Sequence, residues 1–420
     1  MKHKTLLGLI VIAAIFLISL PPQAVTRALP ASSGKIAISG ADGNIHLYDV
    51  DSKVLTPLTS DAVPGRKIYN WPTWSTDGHL AYFGVDLDHN PPYQLGIFVQ
   101  PPGGAPEQVY TADDESFTYA YWSPADCPVG KCRDLAVLYT ASGGDLAVRR
   151  VRSLNGGTDF SVDDIGAGSP FYWDWSPDGQ AMIWARFGYQ LELYDVASAE
   201  IVQTYSEQLG TQRAVDWSPI DNRLLAAVAA DNRTSDLTVF DGDQRQILAA
   251  GLDGIISFEW SPDGSYVAYA DDDLGNLYIV DSHTGVQTAA VAGSVVGFFW
   301  SPDSSKIAYI TITREETNDN TAAKPSAQQG ELVIRWNVYN ADTKSNNRLA
   351  EFLPTQSMIY YLQFYDQFAR SHRLWSPDSR YIVYAESTRE RYSIVSLQDT
   401  RDPGAAPQTI MEGNFGVFSW

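Results

Sequence analysis

Apolar residues in this chain come in short runs, four to seven long, alternating or β-branched, and separated by turn residues. Around Trp260 one full unit can be read. Ser257-Phe258-Glu259-Trp260 is followed by Ser261-Pro262-Asp263-Gly264 and then by Tyr266-Val267-Ala268-Tyr269. Pro sets φ for the second position of a tight turn, and Gly tolerates the strained position that closes it, so the pattern predicts strand, turn, strand. Asn276–Asp281 and Val286–Val291, divided by a turn at Gly285, complete four strands of period two.

The unit repeats. Trp-Ser copies begin at Trp74, Trp122, Trp175, Trp217, Trp260, Trp300 and Trp375, and Trp420 ends the chain; the steps are 48, 53, 42, 43, 40, 75 and 45 residues. A period in the forties with four strands per unit predicts an all-β fold, a single β-propeller. Counting intervals predicts eight four-stranded blades. The long step is read as an insertion, because Arg314 to Gly330 is polar with no strand pattern. In the Trp217 copy, Asn222 is expected to take the positive φ of the missing Gly. The tryptophans themselves are expected to pack between neighbouring blades.

The first blade lacks its first strand. Lys35-Ile36-Ala37-Ile38 matches the segment after each turn, and Asn414–Trp420 matches the segment before it. C-terminal strand pairing with the N-terminal blade should therefore close the ring and remove an open sheet edge.

In each unit the Trp-Ser-Pro-Asp-Gly turn and the turn between third and fourth strands fall on one face. The long excursions fall on the other: insertions at 85–94, 313–331 and 354–369, grouped in one sector, the expected place for function. The third carries five aromatic side chains between Met358 and Phe368, followed by Arg370, His372 and Arg373. It either presents a binding platform or folds back to cap the barrel end. The candidate contact residues are Tyr361, Tyr365, Asp366, Arg370, His372 and Arg373.

Composition adds an address. Lys2 and Lys4 precede an apolar run from Leu6 to Leu20, too short for an ordinary membrane span. Residues 1–28 are read as a signal peptide, with an uncleaved anchor as the alternative, and 32–420 as the propeller. The expected location is extracytoplasmic: secreted, periplasmic or on the cell surface. Membrane contact is expected only through an uncleaved N-terminal segment. The only two cysteines, Cys127 and Cys132, replace a tight turn and are expected to form a disulfide.

The formal net charge is −21. This acidic surface excludes nucleic acid as a natural partner. It leaves Ca²⁺ as a possible ligand, with Asp271, Asp272 and Asp273 as the candidate metal residues, although no EF-hand spacing is present and no cofactor is expected. No Gly-x-Ser-x-Gly elbow, His-Glu-x-x-His or phosphate loop occurs.

The Trp-Ser-Pro-Asp-Gly string, followed by Ile-Ala-Tyr and then by Ile-Tyr-x-x-Asp patterns, resembles the TolB-type, WD40-like propeller repeat. The resemblance implies a fold and, through TolB itself, a protein-binding scaffold of the cell envelope. It covers nearly everything after residue 33. The expected function is a monomeric, exported, non-catalytic propeller that binds a protein, peptide or glycan through its insertion-bearing face. The alternative is a carbohydrate-active propeller enzyme, a lyase or glycosidase, marked by convergent carboxylates or histidines of shifted pKa at the channel mouth.

Overall fold

A computed structural model describes residues 32–420, apart from 90–92, 128–131, 142, 156, 158, 211–213, 272–274, 292, 315–331, 389 and 391. The segment read as a signal peptide lies outside these residues. So do Asp272, Asp273 and most of the 313–331 insertion. Among the described residues no helix is long and apolar enough to cross a membrane.

Alternating runs become antiparallel strands, and the strands form a propeller. Six sheets have four strands each, in chain order across the sheet except for the reading direction. They span residues 67–113, 116–167, 171–204, 216–253, 257–291 and 295–352. The Trp-bearing strand of each lies innermost, and fourth strands such as Glu200–Thr204 are exposed along their whole length.

The seventh sheet corrects the count. Taking each hydrogen-bonded sheet as a blade, the ring has seven blades, not eight, because the first and last repeats share one six-stranded sheet. Its central strand, Gln408–Phe418, is 11 residues long and continuous. Its first half pairs with Ser393–Asp399, with Ile394 opposite Glu412. Its second half pairs with Lys35–Gly40, with Ile36 opposite Phe418. Trp375 heads no strand of its own and makes only an isolated bridge to Ile382. The chain reaches Trp375 from helices rather than from a strand, so one motif copy does not become one sheet. The closure between the two chain ends is present as expected.

The recurring motif acts as a stitch. Trp122 Nε1 donates to Thr73 O at 3.1 Å, Trp175 Nε1 to Tyr121 O at 3.2 Å, and Trp375 Nε1 to Phe299 O at 3.0 Å. Each bond ties one repeat to the residue before the Trp of the preceding repeat. Within the turn, the Ser hydroxyl donates to the Asp carboxylate two residues on, as in Ser176–Asp178 and Ser261–Asp263. Gly264 closes its turn at φ +69°, and Ser304 and Ser379 adopt the same region in their copies. Asn222 does not, so the expected substitution of Asn for Gly fails there.

Cys127 and Cys132 form the disulfide, with their Cα atoms 5.5 Å apart. It closes a short loop, so replacing both cysteines with serine should cost only about 2 kcal/mol, read as a small fall in urea midpoint. A loss of folding instead would mean that the loop carries more of the blade than its length suggests.

Candidate functional site

The third insertion is helical. Apolar side chains at 358, 361, 365 and 368 recur every three or four residues, which suits one face of a helix. Helix α1 spans Gln356–Gln363 and α2 spans Tyr365–Ser371. Thr355 caps α1, its hydroxyl accepting from Met358 N. The same hydroxyl donates to Asn414 O at 2.7 Å, anchoring the helix start to the closure strand.

Both helices pack into the central channel. α2 lies against the inner strands Ser116–Trp122, Ser257–Trp260 and Val295–Trp300. Phe368 makes an edge contact with Tyr119, with ring centroids 5.0 Å apart, and Tyr361 lies 5.4 Å from Phe415. Trp71 stands at a break in strand register with φ +51°, and its ring meets Tyr360, Phe368 and Phe415. A bulge of this kind re-aims a side chain that the regular pleat would direct elsewhere. Gly297 leaves room for Tyr365, because a Cβ there would sit 3.3 Å from the ring. Tyr119 Oη donates to Gln367 O and Thr73 Oγ1 to Ser371 O, both at 2.8 Å.

Beneath this aromatic layer lies a charged one. Arg370, 8 % exposed, donates to Val215 O and sits 3.5 Å from both Asp174 and Asp216. Asp174 Oδ2 accepts from Trp217 N at 2.7 Å, and Asp216 Oδ2 accepts from Trp260 N at 2.8 Å. Each carboxylate therefore bridges its own blade to the next. Glu259 occupies the same position in the following repeat, and its Oε2 is buried. Burial raises the carboxyl pKa of Asp174, and that of Asp216 more strongly, against the opposing pull of Arg370. Burial likewise raises Glu259, to about 8. On Arg370 burial acts downward, but Asp216 and Asp174 leave the guanidinium above its ordinary value.

A carboxyl group whose pKa is raised by folding binds more protons in the native than in the unfolded chain. Between its unfolded value near 4.5 and about 8, Glu259 therefore lowers stability as pH rises. Glu259→Gln should flatten that part of the stability–pH curve, measured by urea melts from pH 5 to 9. An unchanged slope would show that the carboxyl is not held protonated.

The six residues proposed from sequence are thus drawn together, but inside the molecule. Tyr361, Tyr365, Asp366, Arg370 and His372 are buried. His372 is fully enclosed, its Nδ1 2.6 Å from Ser371 Oγ, and burial pushes its pKa down to about 3. Arg373 is half-buried, with its guanidinium 3.3 Å from the centre of the Trp420 ring. Asp271 is half-buried. Among the described residues no group of three or more His, Cys, Asp or Glu is placed to hold a metal ion.

Sequence reading missed Asp174, Asp216 and Glu259. Their signal was an acidic residue immediately before Trp in three consecutive repeats, where other copies have Thr73, Tyr121, Phe299 or Leu374. Other carboxylates serve arginines instead. Arg149 is held by Glu115 and Asp164, and Arg150 by Asp163.

An open cavity lies beside α1 on the insertion-bearing face. Its volume is about 360 Å³. Ile255, Val295, Ile312, Ile334, Ile359 and Leu362 supply its larger aliphatic side chains, with Ser257 and Gln363 among its polar groups.

Seven blades closed by the two chain ends define a WD40-like β-propeller. No family model matches the chain, and no curated protein matches it. Among solved structures, a eukaryotic initiation factor is similar at 10% identity and a TM-score of 0.53, covering 92% of this chain and 98% of that one. An oligogalacturonate lyase from Vibrio parahaemolyticus is similar at 14% identity and a TM-score of 0.48, covering 83% of this chain and 85% of that one. The propeller of Dos1 matches at 11% identity and a TM-score of 0.44, over 66% of this chain and 73% of its own. At such identities these likenesses concern the fold alone.

Proposed function

We propose that the chain is an exported, non-catalytic propeller of the TolB type, binding a protein or peptide partner at the cell envelope through its insertion-bearing face. The observation that carries this reading is the filled channel. Its three convergent carboxylates are covered by α1 and α2, and two of them are engaged by Arg370 and by backbone N–H groups. General acid–base chemistry needs such groups within reach of a substrate, and here the chain's own helices occupy that space. What the same face leaves open is an aliphatic cavity. Largely aliphatic walls suit apolar side chains better than the hydroxyl-rich surface of a sugar.

The carbohydrate-active alternative is favoured by one feature, the convergence of Asp174, Asp216 and Glu259 with raised pKa values. It requires the helices to leave the channel. Incubating the full chain with a panel of neutral and acidic glycans should release no new reducing ends. Turnover that is lost in Glu259→Gln would replace the binding reading with the enzymatic one.

A further inference from the structure

Deepening the binding reading, on which it rests, we infer that the cavity beside α1 is the anchor site for a peptide segment of a partner protein, one aliphatic side chain flanked by basic residues. Two observations select this occupant. The first is shape and polarity. The cavity is built from the top ends of two neighbouring inner strands, from Ile312 paired with Ile334, and from Ile359 and Leu362 of α1. Ile359 is itself 47% exposed and Leu353, just before the insertion, 48% exposed, so the apolar wall continues onto the surface. A wall that opens outward admits a side chain carried on another chain, and leaves that chain's backbone outside in water.

The second observation is charge. Asp253 stands two residues before the lining residue Ile255, and Asp271 directly follows the lining residue Ala270. Asp253 is exposed and Asp271 half-buried, and among the described residues neither has an ion-pair partner. Arg335, next to the lining residue Ile334, is already paired with Glu351. Among the described residues, the unmatched charge next to the lining residues is therefore negative, on a chain whose formal net charge is −21. Lysine or arginine on either side of the anchor meets that charge, while an acidic segment is repelled.

The test uses the full chain and two fluorescent peptides of equal charge, each with lysines flanking a single central residue, leucine in one and serine in the other. Fluorescence anisotropy should show the leucine peptide binding about tenfold more tightly, the effect of burying one aliphatic side chain. Ile359→Asp should erase the preference while leaving the melting temperature unchanged, because Ile359 is half out of the fold already. Asp253→Asn/Asp271→Asn should weaken both peptides about equally and reduce their salt dependence. Equal binding of the two peptides, or a leucine preference that survives Ile359→Asp, would overturn the anchor site and leave the wider binding reading in place. No peptide binding, together with glycan turnover, would overturn both.

Discussion

Replacing Arg370 with methionine should destabilise the fold by about 3–5 kcal/mol, the usual consequence of removing one partner from a buried ion pair. Methionine keeps much of the volume, so the loss reports charge rather than a cavity. Two carboxylates would be left in the channel with only backbone N–H groups to balance them. They would escape by taking up protons, so the defect should be smaller at pH 5 than at pH 8. The triple variant Arg370→Met/Asp174→Asn/Asp216→Asn should recover most of the loss, since an amide can still accept from Trp217 N and Trp260 N. Urea melts at both pH values measure all three expectations. An Arg370→Met chain as stable as the parent at pH 8 would mean that the carboxylates are not ionised there and that the helices are held by their aromatic contacts alone.

Deleting residues 415–420 should abolish the cooperative fold. Phe415, Val417 and Phe418 are buried, and truncations of large buried side chains cost roughly 2–5 kcal/mol each. Their sum rivals the whole stability of an ordinary domain, about 5–15 kcal/mol. The deletion also strips most of the pairing partner from Lys35–Gly40 and removes the Phe415 ring from Trp71 and Tyr361. The shared sheet would then lose the link between its N-terminal and C-terminal halves, exposing edges that invite association. Size-exclusion chromatography should show aggregate, and circular dichroism no sharp melt. A monomer that melts cooperatively at the parent temperature would refute the closure.

How far the fold was legible follows from how local each signal is. Strand and turn assignments rest on period-two runs and on Pro-Asp-Gly chemistry within a dozen residues, and the unit around Trp260 appears as read. The aromatic insertion was legible as unusual, yet its helical spacing was overlooked among strands. Folding back was one of two readings, and the helices occupy the channel rather than standing on the rim. The count of eight failed because it treats Trp375 like any other copy, while the chain that precedes it is engaged in the channel. Asp174, Asp216 and Glu259 were hidden in plain view, since their meaning depends on a partner 111 to 196 residues away in sequence.

By itself the amino-acid sequence determined the repeating unit, the pairing of the two chain ends and the disulfide. Each depends on backbone preference, side-chain alternation or the scarcity of cysteine, and needs no knowledge of distant neighbours. Only the tertiary structure decided that the first and last repeats share one sheet, that α1 and α2 enter the channel, and that Arg370 meets carboxylates from two blades. It also decided where an aliphatic cavity stays open. These features arise where the ring brings together residues from separate repeats, and the energy of a buried charge or a filled channel belongs to that convergence rather than to any one stretch of chain.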